Sequence, residues 1–411
     1  MKILFVVGSF YPRGDANTLV ISNLADALQN MGVEVSILTL TYEKKDFENP
    51  RWNEVNIIYE YEPALTPIAD VLHNIIKHPI KNSIIILKKT YYKILGNIGA
   101  YKYLSLSPCK VKAFIRAIKR EFNNSFDLIV SSVMPIDTAW SLQKANVSAK
   151  KSLIYLMDTL WNNVTLPYKY REKRLSFEKN MFKNSLFVIT TPQIALSNER
   201  EKLGLENKTV VVEFPLIREN KTIIKEKNDD IIHCVFLGML YSDIRPPEKV
   251  VEIIGDMPKG NYSFDFFGLN QHLIIESKDY EKAKDRIKMF GQILSAEAEQ
   301  KKFEANILVN IDNTDSNQVP SKLFEYISTG KRIINFYFNK NSSVLEYLSK
   351  YPNALNIYLF DDKEKNAQIV FDFISSYDGN KIEFSYVEKQ FIKNTPKYVA
   401  TQVLERWKLL N

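Results

Sequence analysis

The sequence predicts an α/β protein built from two doubly wound, Rossmann-like domains. Its 411 residues are too many for one ordinary core and suit two domains of about 150–200 residues each. Hydrophobic residues make up 45% of the chain and charged residues 25%, as in globular proteins. Strand patterns and helix patterns also alternate along the chain. Because open α/β sheets bind ligands at the carboxyl ends of their strands, we expect a ligand cleft where two such domains face each other.

The first domain is expected over residues 1–217. The run "KILFVV" is an apolar strand, "LVISNLADALQNMG" is a helix that ends at Gly32, and "VEVSILTL" is the next strand. These three pieces form a βαβ unit. The same alternation returns with "FDLIVSS", "KSLIYLMD" and "LFVITT", so we expect a parallel sheet covered by helices.

The second domain is expected over residues 231–390, after a charged linker at 218–230 that reads "RENKTIIKEKNDD". Its strands are predicted at "IIHCVFLGML", "YSFDFFG", "NILVNI" and "RIINFYF", with helical patterns such as "PPEKVVEIIGDM" and "SAEAEQKKFEA" between them. Residues 391–411 predict a final helix that returns to pack on the first domain.

Cysteine content and hydropathy indicate the compartment. Cys109 and Cys234 are the two cysteines, too few and too far apart for a disulfide framework or a CxxC metal site, which favours a reducing compartment. The amino-terminal apolar run is short and lacks a cleavage site of small residues. No stretch approaches the roughly 18 uncharged apolar residues of a membrane span. We therefore expect a cytoplasmic protein.

The stretch "NQVPSKLFEYISTGKRIINF" at residues 317–336 contains a lysine, Lys322, and a glutamate, Glu325, within one short helical pattern. Pro320 suits the first turn of a helix, and Gly330 suits the left-handed position after the last turn. Ser321 and Lys322 then offer a hydroxyl and a cation beside free amides at the helix start, which suits a phosphate. Glu325, one turn later, can accept hydrogen bonds from a ribose diol. The alternative is an ordinary exposed Lys322–Glu325 pair, worth about 0.2–0.5 kcal/mol.

The same stretch resembles the donor-site signature of the GT-B glycosyltransferases, particularly the retaining enzymes of glycosyltransferase family 4. The resemblance extends over most of the chain, because "GSFYP", "LADALQNMGVEVSILT", "VFLGMLYSDIRPPEKVVEII", "FDFFG" and "MFGQILSAEAEQKKFEANILVNI" occur in that family's order. It implies a GT-B fold and transfer of a sugar from a nucleoside diphosphate donor, for which we expect uridine.

The resemblance implies roles for the residues at matching positions. Glu325 matches the second glutamate of the family's paired-glutamate motif, which contacts the donor ribose, and Ser321 and Lys322 match the segment that holds the diphosphate. Arg245 resembles the second cation that neutralises the leaving diphosphate. Taken alone, Arg245 would be a solvated surface arginine.

Four further positions match loops around the donor. Gly291, Gln292 and Ile293 correspond to the loop that lines the nucleobase pocket. Gly14, in the first βα loop, corresponds to a glycine whose backbone approaches donor or acceptor. Taken alone, Gly14 and Gly291 would be plain turn glycines.

Three departures from the family pattern affect the predicted mechanism. Asn317 stands where the first glutamate of the pair is expected, eight positions before Glu325. Met239 replaces an arginine that often follows the glycine of "FLGML". The histidine often found after the strand "FDLIVSS" is missing, so Asp158 is a positional substitute for an acid or a sugar-orienting group. The alternative for Asp158 is a helix cap or a buried, hydrogen-bonded carboxylate.

No metal or other cofactor is expected. The reaction scheme that the resemblance implies needs none, and no Asp-x-Asp pair occurs in the sequence.

Positive charge is concentrated at residues 71–120, which contain eleven of the 55 Lys and Arg residues and no Asp or Glu. The rest of the chain therefore has a net charge of −4, although the whole chain has +7. Lysines alternate there with Ile, Leu, Tyr and Phe, which suits an anionic membrane surface. An ordinary solvated face and a nucleic-acid patch are the alternatives, but no nucleic-acid motif accompanies the charge.

Together these features predict a glycosyltransferase that moves a sugar to a growing, lipid-linked surface glycan with retention of configuration. We expect it in the cytoplasm, with the inner face of the plasma membrane as a peripheral location. A nucleotide-sugar epimerase of the same fold and a catalytically silent, glycan-binding or partner-binding relative remain as alternatives.

Overall fold

The computed structural model describes residues 1–10, 16–45, 51–52, 55–122, 126–161, 163, 166–196, 199–205, 208–220, 230–316 and 318–410. It divides into two compact units. The first is Met1–Pro215 together with Pro396–Asn411, and the second is Leu216–Thr395. The predicted linker at 218–230 lies mostly outside the described residues. The chain enters the second unit at Leu216, because Leu216 and Ile217 are buried and the Ile217 amide donates to the Asn394 carbonyl at 3.0 Å.

The first unit contains one eight-stranded sheet among its described residues. In chain order its strands are β1 (Lys2–Val6), β2 (Glu34–Thr41), β3 (Arg51–Trp52), β4 (Val55–Tyr61), β5 (Leu128–Ser132), β6 (Ser152–Leu156), β7 (Phe187–Thr190) and β8 (Thr209–Val211). The spatial order is β3-β4-β2-β1-β5-β6-β7-β8. All neighbours are parallel except the short edge strand β3, which pairs with β4 in the antiparallel sense.

Helices cover this sheet. They are α1 (Ala16–Asn30), α2 (Ile68–His73), α3 (Pro79–Leu95), α4 (Gly99–Tyr103), α5 (Pro108–Phe122), α6 (Ile136–Lys144), α7 (Arg171–Lys183), α8 (Pro192–Leu196), α9 (Glu199–Leu203) and, from the end of the chain, α18 (Pro396–Leu410). The last helix packs on α1 and buries Val399, Ala400, Val403 and Leu404. The predicted return of the final helix to the first domain is therefore confirmed.

The second unit has a six-stranded parallel sheet in the order β11-β10-β9-β12-β13-β14. Its strands are β9 (Ile232–Leu237), β10 (Tyr262–Phe267), β11 (Ile287–Met289), β12 (Ile307–Ile311), β13 (Arg332–Tyr337) and β14 (Ala354–Tyr358). Its helices are α10 (Glu248–Asp256), α11 (His272–Ile275), α12 (Tyr280–Ala283), α13 (Ser295–Glu304), α14 (Lys322–Ile327), α15 (Ser343–Leu348), α16 (Lys363–Ser375) and α17 (Phe384–Gln390).

Both sheets are buried on their two faces, which explains why their strands are continuous apolar runs. Every residue of β5, β10 and β12 is buried. Strands of this kind pair in register with parallel neighbours, for example Leu308 with Ile333. The predicted α/β class with two doubly wound sheets is confirmed. The carboxyl ends of the parallel strands in each sheet meet at one edge.

Candidate functional site

Four loops meet at the carboxyl edge of the second sheet, after β9, β10, β11 and β12. Backbone hydrogen bonds join them directly. The Gly238 amide donates to the Phe267 carbonyl at 2.9 Å, and the Gly268 amide donates to the Gly291 carbonyl at 2.7 Å. The loop after β12 is tied in by Thr314, whose amide donates to the Ile244 carbonyl at 2.8 Å. This edge is therefore a preformed platform in the place where open α/β sheets bind ligands.

Two glycines allow the loops after β9 and β10 to touch backbone to backbone. Gly268 has φ = 139°, a conformation open to glycine. A Cβ atom at this position would stand 1.8 Å from the carbonyl oxygen of Gly238. A side chain there would push the two loops apart, so Gly268 fixes the geometry on which the neighbouring side chains depend.

Arg245 lies in the loop after β9 and is half-buried. Its Nη2 donates to Asn313 Oδ1 at 2.8 Å, and its Nη1 donates to the Met239 carbonyl at 3.3 Å. Its Nε is buried and has no hydrogen-bond partner among the described residues. Burial lowers the pKa of Arg245, against the opposing effect of Tyr326, Asp312 and Tyr241. Because arginine stays protonated in proteins, this loop holds a permanent cation with an unused donor.

Asp312 is a buried carboxyl directly after β12 that is not among the residues predicted from sequence. It accepts hydrogen bonds from the Ser342 hydroxyl and, at 2.7 Å, from the Asn313 amide. Burial raises the pKa of Asp312 to about 6, although these hydrogen bonds and the charge of Arg245 oppose the rise. The available signal was a carboxylate directly after a buried strand, a pattern too common to single out one residue.

The raised pKa of Asp312 makes its contribution to stability depend on pH. The native state holds the proton up to about pH 6 and the unfolded chain loses it near its ordinary pKa of 3.8, so stability falls as pH rises between these values. From about pH 4 to about pH 7, the unfolding free energy of the wild type should fall by about 2 kcal/mol relative to Asp312→Asn. Urea unfolding of both proteins over this range measures the difference. A difference that stays constant would contradict a protonated Asp312.

The predicted phosphate segment forms a shorter helix than expected. The helix α14 spans six residues, Lys322–Ile327, and Pro320 precedes it. Ser321 is its N-cap, but the hydroxyl makes no capping hydrogen bond. Gly330 has φ = 72°, so its predicted left-handed conformation is confirmed. With so short a helix, the anion-binding capacity of this segment depends on its side chains and free amides more than on an extended helix dipole.

Lys322 and Glu325 do not form the exposed surface pair that was the alternative. Glu325 pairs instead with Lys302 of α13, at 3.3 Å between Oε2 and Nζ, and both side chains are largely buried. Lys302 also pairs with Glu299. Burial acts to raise the pKa of Glu325, but Lys322, Lys302 and Arg218 outweigh it and lower the pKa. Lys322 is half-buried, and its ammonium has no hydrogen bond or salt bridge within the described part of the chain.

The loop after β11 contains the predicted nucleobase residues. Gly291 has φ = 73°, and its amide donates to Gln271 Oε1 at 3.0 Å. Gln292 is exposed and Ile293 is half-buried. Phe290, which is not among the residues predicted from sequence, stacks on Phe267 with ring centroids 4.5 Å apart and an angle of 8° between the planes. The loop thus presents an aromatic ring, an amide side chain and an apolar side chain next to Gly268.

Asp158 belongs to the first unit, in the loop after β6. It is exposed, although surrounding protein raises the pKa of its carboxyl through desolvation. Helix α7 anchors this loop through hydrogen bonds. There the buried Glu178 accepts hydrogen bonds from the amides of Leu160 at 2.6 Å and Trp161 at 2.9 Å. Asp158 is therefore neither a helix cap nor a buried structural carboxylate, and it stands on an anchored loop.

Two predicted site residues, Gly14 and Asn317, lie outside the described residues. Within the described ranges no group of three or more His, Cys, Asp or Glu side chains could hold a metal ion. The expectation that no metal or cofactor takes part stays a prediction. No helix in the described part of the chain is long and apolar enough to cross a membrane.

In sequence, no protein-family model and no curated protein matches the chain. In structure, it is similar along its whole length to sucrose-phosphate synthase from Thermosynechococcus elongatus, with a TM-score of 0.66 at 15% identity, covering 100% of this chain and 98% of the other. It is also similar to Anabaena HepE in complex with UDP and glucose, with a TM-score of 0.58 at 14% identity and 98% of each chain covered.

A third similar structure is WaaG, a glycosyltransferase involved in lipopolysaccharide biosynthesis. Its TM-score is 0.54 at 10% identity, with 100% of this chain and 99% of the other covered. The structural neighbours are GT-B glycosyltransferases, and the GT-B fold predicted from the sequence is confirmed.

Proposed function

We propose that this GT-B protein is a glycosyltransferase that takes a sugar from a nucleoside diphosphate donor and uses UDP as the leaving group. One observation carries the proposal. Arg245, a cation with an unused donor, lies in the loop after β9, and Lys322, an unpaired ammonium among the described residues, begins α14, which follows the loop after β12. One helical turn beyond Lys322 is the ionised Glu325. The similarity to HepE, which was solved both with UDP and glucose and with UDP-glucose, supports the choice of uridine.

The proposed chemistry follows from the charges. When the bond between the anomeric carbon and the diphosphate oxygen breaks, negative charge grows on the diphosphate and positive charge on the sugar. Cations already fixed near the phosphate oxygens stabilise that separation most, because they need no reorganisation during the reaction. In this scheme Arg245 and Lys322 bind the diphosphate, Ser321 adds a hydroxyl donor, and Glu325 accepts hydrogen bonds from the ribose.

The loop after β11 is proposed to receive the base. The backbone of Gly291, with the side chains of Gln292 and Ile293, offers hydrogen-bonding groups and apolar surface, which a pyrimidine requires. Asp158 is proposed as the acid or sugar-orienting group in place of the missing histidine, and desolvation raises the pKa of its carboxyl. Retention of configuration, with Asn317 at the position of the first paired glutamate, and an approach by Gly14 to donor or acceptor complete the proposal.

The proposed acceptor is a growing, lipid-linked surface glycan. The similarity to WaaG, described as involved in lipopolysaccharide biosynthesis, and the basic, apolar segment at residues 71–120 support it. The proposed location is the cytoplasm, at the inner face of the plasma membrane.

A panel experiment tests the proposed activity. The purified protein is incubated with UDP-glucose, UDP-galactose and UDP-N-acetylglucosamine, with and without extracted glycolipid acceptors, and the free nucleotides and glycolipids are analysed by mass spectrometry and chromatography. Acceptor-dependent release of UDP with a heavier glycolipid supports a transferase. Conversion of one UDP-sugar to another without acceptor would identify an epimerase instead. Donor binding without turnover across the panel would favour the silent relative.

The Glu325→Gln variant is expected to bind UDP several-fold more weakly, because an amide offers one acceptor oxygen where the carboxylate offers two charged ones, a difference on the order of 1 kcal/mol. Glu299→Gln is the matched control, since it removes the other carboxylate that pairs with Lys302 and leaves Glu325 in place. Equilibrium dialysis with UDP compares them. Equal weakening in both variants would mean that Glu325 acts through Lys302 and does not contact the ribose.

A further inference from the structure

The helices between β4 and β5 expose a row of large apolar side chains. On α3 the row, here called the apolar ridge, consists of Ile80, Ile84, Leu87, Tyr91 and Ile94. Their exposed fractions lie between 52% and 78%. Beyond the two ends of α3, Ile76 and Ile98 continue it with 90% and 58% exposed. Monomeric soluble proteins rarely expose so many neighbouring apolar groups without an interaction partner.

The ridge is a second face of α3, opposite the one that packs on the domain. Its members are spaced four, three, four and three residues apart, so at about 100° per residue they fall within an arc of about 80°. On the opposite face, Asn82 and Ile85 are buried, and Lys89 donates to the Ala64 carbonyl at 2.8 Å. The helix is thus anchored by one side and leaves the ridge uncovered.

Cations flank the ridge. Lys81 and Lys88 are exposed beside the ridge on α3, and Lys77 is exposed just before the helix begins. Lys93 is also exposed, but it lies about 140° around the helix from the middle of the ridge. Residues 71–120 contain no Asp or Glu. Three carboxylates form ion pairs with these helices, and all three are buried: Glu60, Glu62 and Glu121 of α5, which pairs with Arg120. Glu60 pairs with Arg116 and Arg120, and Glu62 lies 3.8 Å from the Nζ of Lys88. In the first turn of α2, Asp70 is exposed. The face around the ridge is therefore strongly positive.

We propose that this face docks on an anionic lipid bilayer, with α3 lying in the plane of the interface. The ridge would enter the boundary between headgroups and acyl chains, where amphipathic helices bury their apolar face, and the lysines would contact acidic headgroups. A second copy of this chain could cover the apolar ridge with its own ridge. The lysines of the two copies would then face each other, and their like charges would repel. A nucleic acid would match the cations but leave the ridge in water.

The proposal does not depend on the transferase function, because vesicle binding is measured without donor or acceptor. It refines the basic segment predicted from sequence. Among the lysines there, Lys89 belongs to the packed face and Lys88 is partly neutralised by Glu62. Among the described residues, the lysines that lie beside the ridge and make no ion pair are Lys77 and Lys81.

Vesicle sedimentation of the full chain tests the ridge. The probes are vesicles of phosphatidylcholine alone and of phosphatidylcholine mixed with phosphatidylglycerol, in low and high salt. The ridge variant combines Ile84→Ser, Leu87→Ser and Ile94→Ser. The matched control combines Ile275→Ser, Ile392→Ser and Leu409→Ser, which are exposed apolar residues elsewhere on the chain. The wild type and the control should bind the anionic vesicles in low salt, and the ridge variant should bind them at least about tenfold more weakly.

A charge variant separates the lysines from the ridge. With Lys77→Gln and Lys81→Gln, the partition coefficient on anionic vesicles should fall about 30-fold in low salt. Circular dichroism should show unchanged folding, because the replaced side chains are exposed. Failure of the wild type to bind anionic vesicles, or equal binding by the wild type and the ridge variant, would overturn the proposal. A lipid-free dimer of the wild type that the ridge variant loses would assign the face to a second copy.

Discussion

Replacing Arg245 with alanine is expected to lower the turnover number of sugar transfer about 100- to 1000-fold, the usual cost of losing one preorganised donor at a developing negative charge. The guanidinium is held by Asn313 and by the Met239 carbonyl, and its Nε remains without a partner among the described residues. It is therefore fixed before substrate arrives. The measurement is the initial rate of UDP release at saturating donor and acceptor.

Two further variants separate this catalytic loss from damage to the fold. Arg245→Lys keeps the positive charge but loses the planar guanidinium with its several donors, so its turnover number should lie between those of Arg245→Ala and the wild type. Arg332→Ala removes another half-buried arginine of the same unit, one that bonds to Phe373, Ser376 and Asp378 away from the candidate site. Its turnover should stay close to that of the wild type. If Arg245→Ala keeps the full rate, Arg245 has no part in the chemistry.

The Lys322→Ala variant is expected to bind UDP about 10- to 150-fold more weakly, since hydrogen bonds to charged groups contribute about 1.5–3 kcal/mol. The half-buried ammonium of Lys322 makes no salt bridge within the described residues, so a diphosphate would not have to displace an existing partner. Removing it also leaves Glu325 with fewer neighbouring cations. Equilibrium dialysis with UDP measures the change.

Lys301→Ala is the matched control for Lys322. Lys301 is a partly exposed lysine of α13 that pairs with Glu304 at 2.8 Å, and its replacement should leave UDP affinity unchanged. Equal affinity in wild type and Lys322→Ala would show that the ammonium does not contact the diphosphate. Equal weakening in both lysine variants would show only a general effect of net charge.

The fold could be predicted because its signals are local. Continuous apolar runs such as that of β12 alternate with helical patterns, and Gly330 marks the end of α14 through the conformation that glycine alone adopts readily. The short length of α14 could not be predicted, since Pro320 and Ser321 are as compatible with a helical first turn as with the turn that precedes the helix.

The candidate site was less predictable because its geometry is tertiary. The pairing of Glu325 with Lys302 joins residues 23 positions apart on different helices, and no spacing rule connects them. Asp312 became recognisable only when its burial and its nearness to Arg245 were known. Likewise, the apolar period of α3 indicates two faces of a helix, but sequence does not show which of them the domain covers.

The most direct test of the central claim is a calorimetric titration of the full chain with UDP, and in parallel with GDP and ADP. The account predicts saturable binding of UDP, weaker or absent binding of the two purine nucleotides, and loss of the UDP signal in Lys322→Ala. Binding of none of the three nucleotides would leave the GT-B fold in place and contradict the donor site assigned to Arg245, Lys322 and Glu325.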